Sequence, residues 1–182
     1  MGEPVLVTER LELRRIAPGD IERQLAHLNT PTVMAHLGGV KTRAAIAEKH
    51  ARAQALFDAD GFGFMMMWER ATGEFVGHCG MKRVDNPHAP NPGDHEIGWL
   101  VREDRWRRGY AHEAISAVMD WGFAVHGAPH IVALTCEANV GSWRLMEKLR
   151  MLRRADLDFL DPAEPDPIIQ YAITREQWES QR

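Results

Sequence analysis

The sequence predicts a mixed α/β fold, in which a mostly antiparallel sheet is combined with helices. The first observation is the order strand–helix–strand–helix in the middle of the chain, which places two strands side by side in parallel. The second is a set of apolar segments joined by short turns, which is typical of antiparallel hairpins. With 182 residues, 45% hydrophobic and 26% charged, the chain has the size and composition of one domain. We expect a single domain over residues 1–182, with a core over about residues 8–178.

Composition and charge exclude several classes of function. The formal net charge of −4 gives no reason to expect a nucleic-acid partner. No apolar run approaches the roughly 20 residues of a membrane span, and the first residues lack a signal-peptide layout, so no membrane partner is expected. Cys79 and Cys136 form no disulfide framework and no metal site by themselves, and no metal is expected. These features predict a cytoplasmic protein.

Periodicity predicts the elements of the N-terminal half. Residues 10–16 alternate apolar and charged side chains, which indicates a half-buried strand. Residues 19–29 carry apolar side chains at helical spacing and are followed by a proline. A longer helix is predicted from its cap Thr42 to about Ala59.

A hairpin and an irregular loop come next. Residues 61–70 and 75–84 are strand-like and flank the short turn ATGE, so they should pair as an antiparallel hairpin. Residues 85–94, DNPHAPNPGD, hold three prolines and one glycine. That composition predicts a loop that is irregular in structure.

The central segments alternate between strand and helix. Residues 95–102 form an apolar strand, and residues 109–126 repeat apolar side chains at the helical period until Gly127. A β-branched strand over 130–138 and a helix over 139–150 follow.

The C-terminal segment is predicted to contain two strands around an acidic, proline-containing turn. A last helical turn should follow, where Thr174 and Gln177 have the spacing of a capping box.

Within the stretch Val101–Ala114, VREDRWRRGYAHEA, three arginines (Arg105, Arg107 and Arg108) and a glycine stand just where a helix begins. A helix N-terminus exposes about four unpaired N–H groups and carries about half a positive charge. Gly109 would let a phosphate approach that backbone closely, and Arg107 and Arg108 would add positive charge. The stretch therefore indicates a phosphate site, and a basic helix start with solvated arginines is the alternative.

The same stretch, RWRRGYAHEA, resembles the acyl-CoA pyrophosphate loop of the GCN5-related N-acetyltransferase (GNAT) superfamily. Four other segments are similar, in the right order, to further segments of the branch that includes the ribosomal-protein N-terminal (Rim-type) acetyltransferases. They are TERLELRRI, FVGHCGMKRV, NVGSWRLMEKL and QYAITREQW. The resemblance covers nearly the whole chain. It implies about seven strands with helices on both faces, acetyl-CoA as co-substrate, and transfer of its acetyl group to a primary amine by direct attack.

The resemblance also implies which residues bind acetyl-CoA. The backbone of Leu100, Val101 and Arg102 would contact the pantetheine arm, in a gap between splayed parallel strands. Asn139 and Ser142 would lie beside the pantetheine and the thioester, although Asn139 could equally cap its own helix. The pyrophosphate would be held by six consecutive residues: Arg107, Arg108, Gly109, Tyr110, Ala111 and His112.

The sequence departs from the family pattern in three places. Trp106 stands where the loop usually opens with Gln or Arg, and Arg150 and Met151 replace the Gly-Phe that usually ends the late helix. Met146 occupies the position at which many relatives carry a tyrosine as general acid. Ser142 is the nearer candidate for a hydrogen bond to the departing thiolate, and a bond from its hydroxyl to the helix backbone is the alternative.

Amine acetylation also requires a base and an oxyanion donor. Glu96 and Glu137 are the candidate bases, with Glu96 preferred, and each could instead be an ordinary surface carboxylate. His78 is a further candidate, although a lone strand histidine is more often a packing residue. The backbone N–H of Leu100 or a neighbour is the candidate oxyanion donor.

The acceptor is open at this stage. Residues 156–166, DLDFLDPAEPD, hold five acidic side chains and no basic one. Such a rim would attract a cationic acceptor, such as a peptide N-terminus or a small amine, or it could be a solvated turn. The chain could also be a catalytically weak acyl-CoA-binding sensor or structural domain. A homodimer is kept open as the assembly.

Overall fold

The computed structural model describes residues 2–181 and is organised around one mixed sheet of eight strands in the order β1-β2-β3-β4-β5-β6-β8-β7. All neighbouring strands are antiparallel except β5 and β6. The strands are β1 (Pro4–Val7), β2 (Leu11–Arg15), β3 (Phe64–Glu69), β4 (Phe75–Arg83), β5 (His95–Val101), β6 (His130–Cys136), β7 (Leu152–Arg153) and β8 (Ile168–Thr174).

Five α-helices accompany the sheet and lie on both of its faces. They are α1 (Asp20–His27), α2 (Arg43–Asp60), α3 (Tyr110–Ala124), α4 (Val140–Lys148) and α5 (Arg175–Glu179). One face packs against α3, α4 and α5 in the largest apolar core, and the other packs against α2 and the residues that follow α1. No helix within residues 2–181 is both long enough and apolar enough to cross a bilayer.

The side chains of β3 show why the sheet is covered on both faces. Successive strand residues point to opposite faces, so Met65 and Met67 enter the core beneath α3 while Met66 packs beneath α2. On the α3 side, Gly122 lets the helix approach the sheet closely. An added Cβ there would lie 3.0 Å from Ile131 Cδ1.

The predicted fold class is confirmed, and the predicted strands and helices lie within a few residues of the observed ones. The sheet has eight strands rather than about seven, because Pro4–Val7 pairs with β2 as an additional edge strand. The capping box of Thr174 and Gln177 is present. The helix predicted over 139–150 is shorter, because Arg150 adopts a left-handed φ of 56° after its last turn.

The parallel pairing of β5 and β6 is the feature that positions the site. It covers only His95–Ile97 against Ile131–Ala133, although β5 continues to Val101 and β6 to Cys136. Beyond Ile97 the two neighbouring strands are no longer paired with each other. The sheet therefore opens at its centre, next to the start of α3.

Candidate active site

A continuous groove of about 2770 Å³ passes through the opening between β5 and β6. Its loop end is lined by Arg107, Gly109 and His112, and its α2 end by Lys49, Glu96 and other residues of the opposite sheet face. Pockets for one small ligand usually measure about 300–1,000 Å³. The groove is therefore large enough to hold two substrates together.

Backbone alternation decides which groups of β5 face the opening. The N–H of Arg102 donates to Val76 O at 3.0 Å, so the Arg102 N–H points toward β4. Since the N–H and C=O groups of a strand alternate between its two neighbours, those of Leu100 also point toward β4. The backbone groups of Trp99 and Val101 point the other way, into the opening. The N–H proposed at Leu100 as oxyanion donor is thus better placed at one of these two neighbours.

The Val101 carbonyl already has a partner from the loop. Trp106 Nε1 donates to Val101 O at 2.7 Å. This bond joins the loop to the end of β5. It gives a structural role to Trp106, which departs from the family pattern. Of the three residues predicted to contact pantetheine, Val101 offers its N–H toward the opening, and Leu100 lines the groove. Arg102 follows β5 and is not among the described residues that line the groove; its guanidinium donates to Asp104 and to Phe75 O.

The loop before α3 has the geometry of an anion site. Gly109 precedes the first helical residue with φ 84°, and no side chain caps the helix there. The first N–H groups of α3 are therefore available to a ligand. Arg107 has φ 58°, which is unusual for a residue with a side chain. Arg107 and Arg108 are exposed beside these N–H groups.

Arg10 and Thr8 fix this loop, and sequence reasoning missed both. Glu113 accepts hydrogen bonds from the Thr8 hydroxyl at 2.5 Å, the Arg10 N–H at 2.8 Å and Arg10 Nε at 2.6 Å. Arg10 Nη1 also donates to Arg108 O at 2.9 Å. Burial alone would raise the pKa of Glu113, but these hydrogen bonds outweigh it and lower the pKa.

Arg105 and the Tyr110 hydroxyl are already engaged by carboxylates. Arg105 forms ion pairs with Glu74 and, at 3.6 Å, with Glu69. The Tyr110 hydroxyl donates to Glu69, which is the main cause of the raised pKa of Tyr110. The backbone N–H of Tyr110 remains available to a ligand at the loop. The Tyr110 side chain and Arg105 instead contact Glu69 and Glu74.

The helix after β6 presents two polar side chains to the groove. Asn139 occupies the cap position of α4, but its side chain makes no capping hydrogen bond. Asn139 and Ser142 both line the groove, and within residues 2–181 neither side chain forms a hydrogen bond. Met146 is buried in the core. Its position therefore supplies no group that could act as an acid.

Glu96 lies at the α2 end of the groove, directly opposite Lys82 in the β4–β5 ladder. Lys82 Nζ is 3.3 Å from Glu96 Oε2, and the Glu96 side chain is only 15% exposed. Burial raises the pKa of Glu96, and the attraction of Lys82 opposes this rise without cancelling it. A carboxylate with a raised pKa is a stronger base than an ordinary surface glutamate.

The structure separates Glu96 from the other two candidate bases. Glu137 is exposed, and it is not among the described residues that line the groove. His78 does line the groove, with its ring 5.5 Å from that of Phe64. Burial, followed by the charges of His50 and Lys49, lowers the pKa of His78 to about 3. The imidazole is therefore neutral at physiological pH and a weak base.

The acidic segment 156–166 carries less free charge than its sequence indicates. Asp158 pairs with Arg153 at 2.5 Å, and Asp156 pairs with Arg154 at 2.7 Å. Asp161 accepts a hydrogen bond from Asn86 at 2.7 Å. Arginines that precede the segment in sequence thus neutralise part of the rim.

The fold, taken with the family match and the similar N-acetyltransferases, defines an acyltransferase. The chain belongs to the GNAT acetyltransferase family, because residues 10–152 match the acetyltransferase (GNAT) domain of that family. The uncharacterized protein YkkB of Bacillus subtilis (strain 168) is 31% identical over 149 residues, which cover 80% of this chain and 84% of YkkB. The uncharacterized N-acetyltransferase YoaA of the same organism is 30% identical, covering 80% and 81% of the two chains.

Solved structures share the same architecture. An acetyltransferase from Agrobacterium tumefaciens str. C58 superposes with a TM-score of 0.81 at 27% identity, covering 96% of each chain. A spermidine N-acetyltransferase from Vibrio cholerae, in complex with CoA and spermine, has a TM-score of 0.72 at 13% identity, covering 93% of this chain and 98% of that chain. At that identity the likeness concerns the fold alone. It leaves the acceptor of this chain open.

Proposed function

We propose that this protein transfers the acetyl group of acetyl-CoA to a primary amine by direct attack within a ternary complex. One observation carries the proposal: the parallel pairing of β5 and β6 ends at Ile97, beside an uncapped helix N-terminus that bears Arg107 and Arg108. The opening offers unpaired strand backbone to the pantetheine arm, and the loop offers N–H groups and positive charge to the pyrophosphate. The CoA-bound Vibrio cholerae relative supports this choice of co-substrate.

The chain supplies three groups for the reaction. Glu96 accepts the proton of the acceptor ammonium, directly or through a water molecule, which leaves the amine free to attack the thioester carbon. A backbone N–H of Trp99 or Val101 stabilises the oxyanion that develops there. As the C–S bond breaks, Ser142 donates a hydrogen bond to the departing thiolate, which takes up the second proton lost by the amine nitrogen. Free thiols of this kind have a pKa near 8.5, so the demand for a strong acid is small.

The acceptor is proposed as a protein N-terminal α-amine or a small-molecule amine. An α-amine titrates near 7.7–8.0 and a lysine side chain near 10.4, so a carboxylate base deprotonates the α-amine more readily. The sequence likeness to the Rim-type branch supports a protein N-terminus.

We propose that the whole chain acts as one cytoplasmic domain, with a core over about residues 8–178.

A catalytically weak acyl-CoA sensor is the second candidate, and Met146 favours it. That residue stands where many relatives carry a tyrosine as general acid, and it is 1% exposed. A protein without a general acid could retain acyl-CoA binding and lose turnover.

Two measurements test the proposal. Calorimetric titration with acetyl-CoA, with dephospho-CoA and ATP as controls, should show micromolar binding of acetyl-CoA. Thiol release should then be followed with a panel of peptides and small amines. Binding with release by at least one amine supports the enzyme, and binding without release by any amine supports the sensor. An absence of binding would overturn both.

A further inference from the structure

Phe64, the first residue of β3, extends its aromatic ring over two neighbouring strands. Phe64 pairs with Gly80 of β4, and Gly80 in turn pairs with Gly98 of β5. A Cβ built on Gly98 would lie 2.9 Å from Phe64 Cζ and 3.3 Å from Phe64 Cε1. The ring therefore reaches across β4 as far as β5, and it can do so because each of these strands presents a glycine there.

The Phe64 ring belongs both to the core beneath α2 and to the surface of the groove. It is half-buried at the margin of that core, and it also lines the groove. The His78 ring lies 5.5 Å from it, and Leu100, which pairs with His78, lines the groove as well. These three side chains form a largely apolar surface on the α2 face of the sheet, and we call it the Phe64 surface.

The Phe64 surface adjoins the proposed base. Glu96 and Gly98 are two positions apart on β5, so they face the same side of the sheet, about 7 Å apart along the strand. Between Glu96 and Leu100, β5 presents no side chain on this face, and the Phe64 ring covers the free position. An amine that gives its proton to Glu96 can therefore place its adjoining carbon atoms against Phe64.

Apolar side chains also flank the other side of the opening. Leu134 of β6, Ile168 of β8 and Phe159 line the groove, and Phe159 forms an isolated bridge with Ile168. Leu134 and Phe159 are half-buried and pack against one small core. The opening beside Glu96 thus has apolar side chains from β3 and β5 on one side and from β6 and β8 on the other.

Resting on the acetyl transfer proposed above, we propose that the acceptor carries an apolar group next to its primary amine and that Phe64 binds this group. A free alkylamine or arylalkylamine has this chemistry, and so does a peptide whose first side chain is apolar. An anionic group in its place would meet repulsion, because Glu164 and Asp166 line the groove in addition to Glu96. Phe64 is thus a specificity-determining residue.

The experiment compares acceptors that differ only in the group that would contact Phe64. Thiol release is measured with hexylamine, and with the amino alcohol and the diamine that carry a hydroxyl or an amino group in place of its terminal methyl. A second series uses peptides that begin with leucine, asparagine or lysine and are otherwise identical. For the wild-type protein, kcat/KM should be at least about tenfold higher for the apolar member of one series. The series with the higher kcat/KM identifies the source as a free amine or a peptide.

Two variants remove or displace the ring. F64A should bring the ratio of kcat/KM between apolar and polar acceptors to within about twofold of one, through a higher KM for the apolar acceptor. G98A keeps the ring but forces Phe64 Cζ out of its position, so it should also lower the ratio. F57A truncates a phenylalanine that is likewise half-buried but is not among the described residues that line the groove. It should keep the full ratio.

Three results would overturn the inference. They are equal kcat/KM values within both series for the wild type, a preference for the diamine or the lysine peptide, and an unchanged ratio in F64A, or in G98A if F64A does not fold. In each case amine acetylation itself would stand. Thiol release with no amine of either series would instead overturn the acetyl transfer on which the inference rests. Calorimetry with acetyl-CoA, run on the same preparations, shows whether each variant is folded and competent to bind.

Discussion

Arg10 and Glu113 fix the start of α3 before any ligand binds, with Arg10 Nε 2.6 Å from Glu113 Oε2. The guanidinium also lies 4.6 Å above the centre of the Tyr110 ring and donates to the Arg108 carbonyl. One side chain from the turn between β1 and β2 therefore holds the loop, the first helical turn and the core tyrosine together. A loop held in this way loses less conformational entropy when it binds a phosphate.

Breaking this contact should weaken both stability and cofactor binding. E113A leaves the Arg10 and Thr8 donors without their acceptor, so we expect a loss of about 1–3 kcal/mol in the free energy of unfolding. The dissociation constant of acetyl-CoA should rise, because the loop must then be ordered on binding. Urea denaturation and calorimetry measure the two effects. E3A, which changes an exposed glutamate outside the groove, should alter neither, and a tight complex with E113A would show that the contact does not order the loop.

The anion site before α3 should depend on its backbone and on its charge. Any side chain at Gly109 is strained at φ 84°, and a Cβ would lie 3.2 Å from Arg10 Nη2. A bulky residue at Gly109, or the double variant R107E/R108E, should raise the acetyl-CoA dissociation constant well over tenfold. Calorimetry at two salt concentrations checks this, with R43E as a control for charge reversal away from the loop. An unchanged dissociation constant in either the glycine variant or the double variant would refute the assignment.

Glu96 should control the rate of turnover and the fall of that rate at acid pH. E96Q should lower kcat by about 10²–10⁴-fold and leave acetyl-CoA binding intact. Lys82 lowers the pKa of Glu96, so K82M should raise that pKa and move the acid limb of the rate profile to higher pH. Steady-state rates across pH 5–9 test both expectations. Should E137Q abolish turnover while E96Q does not, the base is Glu137.

The packing of His95 should make the fold sensitive to acid. The ring of Phe62 lies 5.6 Å from that of His95 and 5.1 Å from that of His126. Burial, aided by the charges of Arg83 and the neighbouring histidines, lowers the pKa of His95 to about 4. A histidine whose pKa is lowered by folding stabilises the fold most at pH values above its pKa in the unfolded chain, which is near 6.5. That contribution falls as the pH drops from about 6.5 toward 4, by up to about 3 kcal/mol.

Urea denaturation at pH 7.5, 5.5 and 4.5 measures this loss. H95Q should unfold more easily at pH 7.5 but show a smaller further loss on acidification. H88Q, which changes an exposed loop histidine, should follow the wild-type slope. The same slope in H95Q as in the wild type would assign the acid sensitivity to other groups.

The sequence predicted most of the fold because side-chain period and turn residues are local signals. The helix from Thr42 and the hairpin around residues 71–74 are read directly from such signals. The strand Pro4–Val7 was missed because it is short and lies at an edge, so its four residues carry little periodicity.

The site could be predicted only in part. The glycine and arginines before α3 form a local pattern that marks the loop. The partners of Glu113 depend on residues brought together from distant parts of the chain, as with Arg10, which is 103 positions from Glu113. The direction of the Leu100 N–H depends on strand register, which a single sequence does not specify.

The short parallel ladder between β5 and β6 makes the protein two half-sheets joined at a narrow seam. Three residue pairs connect the strands there, while α3 packs against β2, β4 and β5 on one side of the seam and against β6 on the other. The helix that begins at the anion site is thus also the brace across the seam. A ligand that hydrogen-bonds along the open part of β5 would act as a short replacement strand. Binding of such a ligand in the groove would then also stabilise the sheet at the seam.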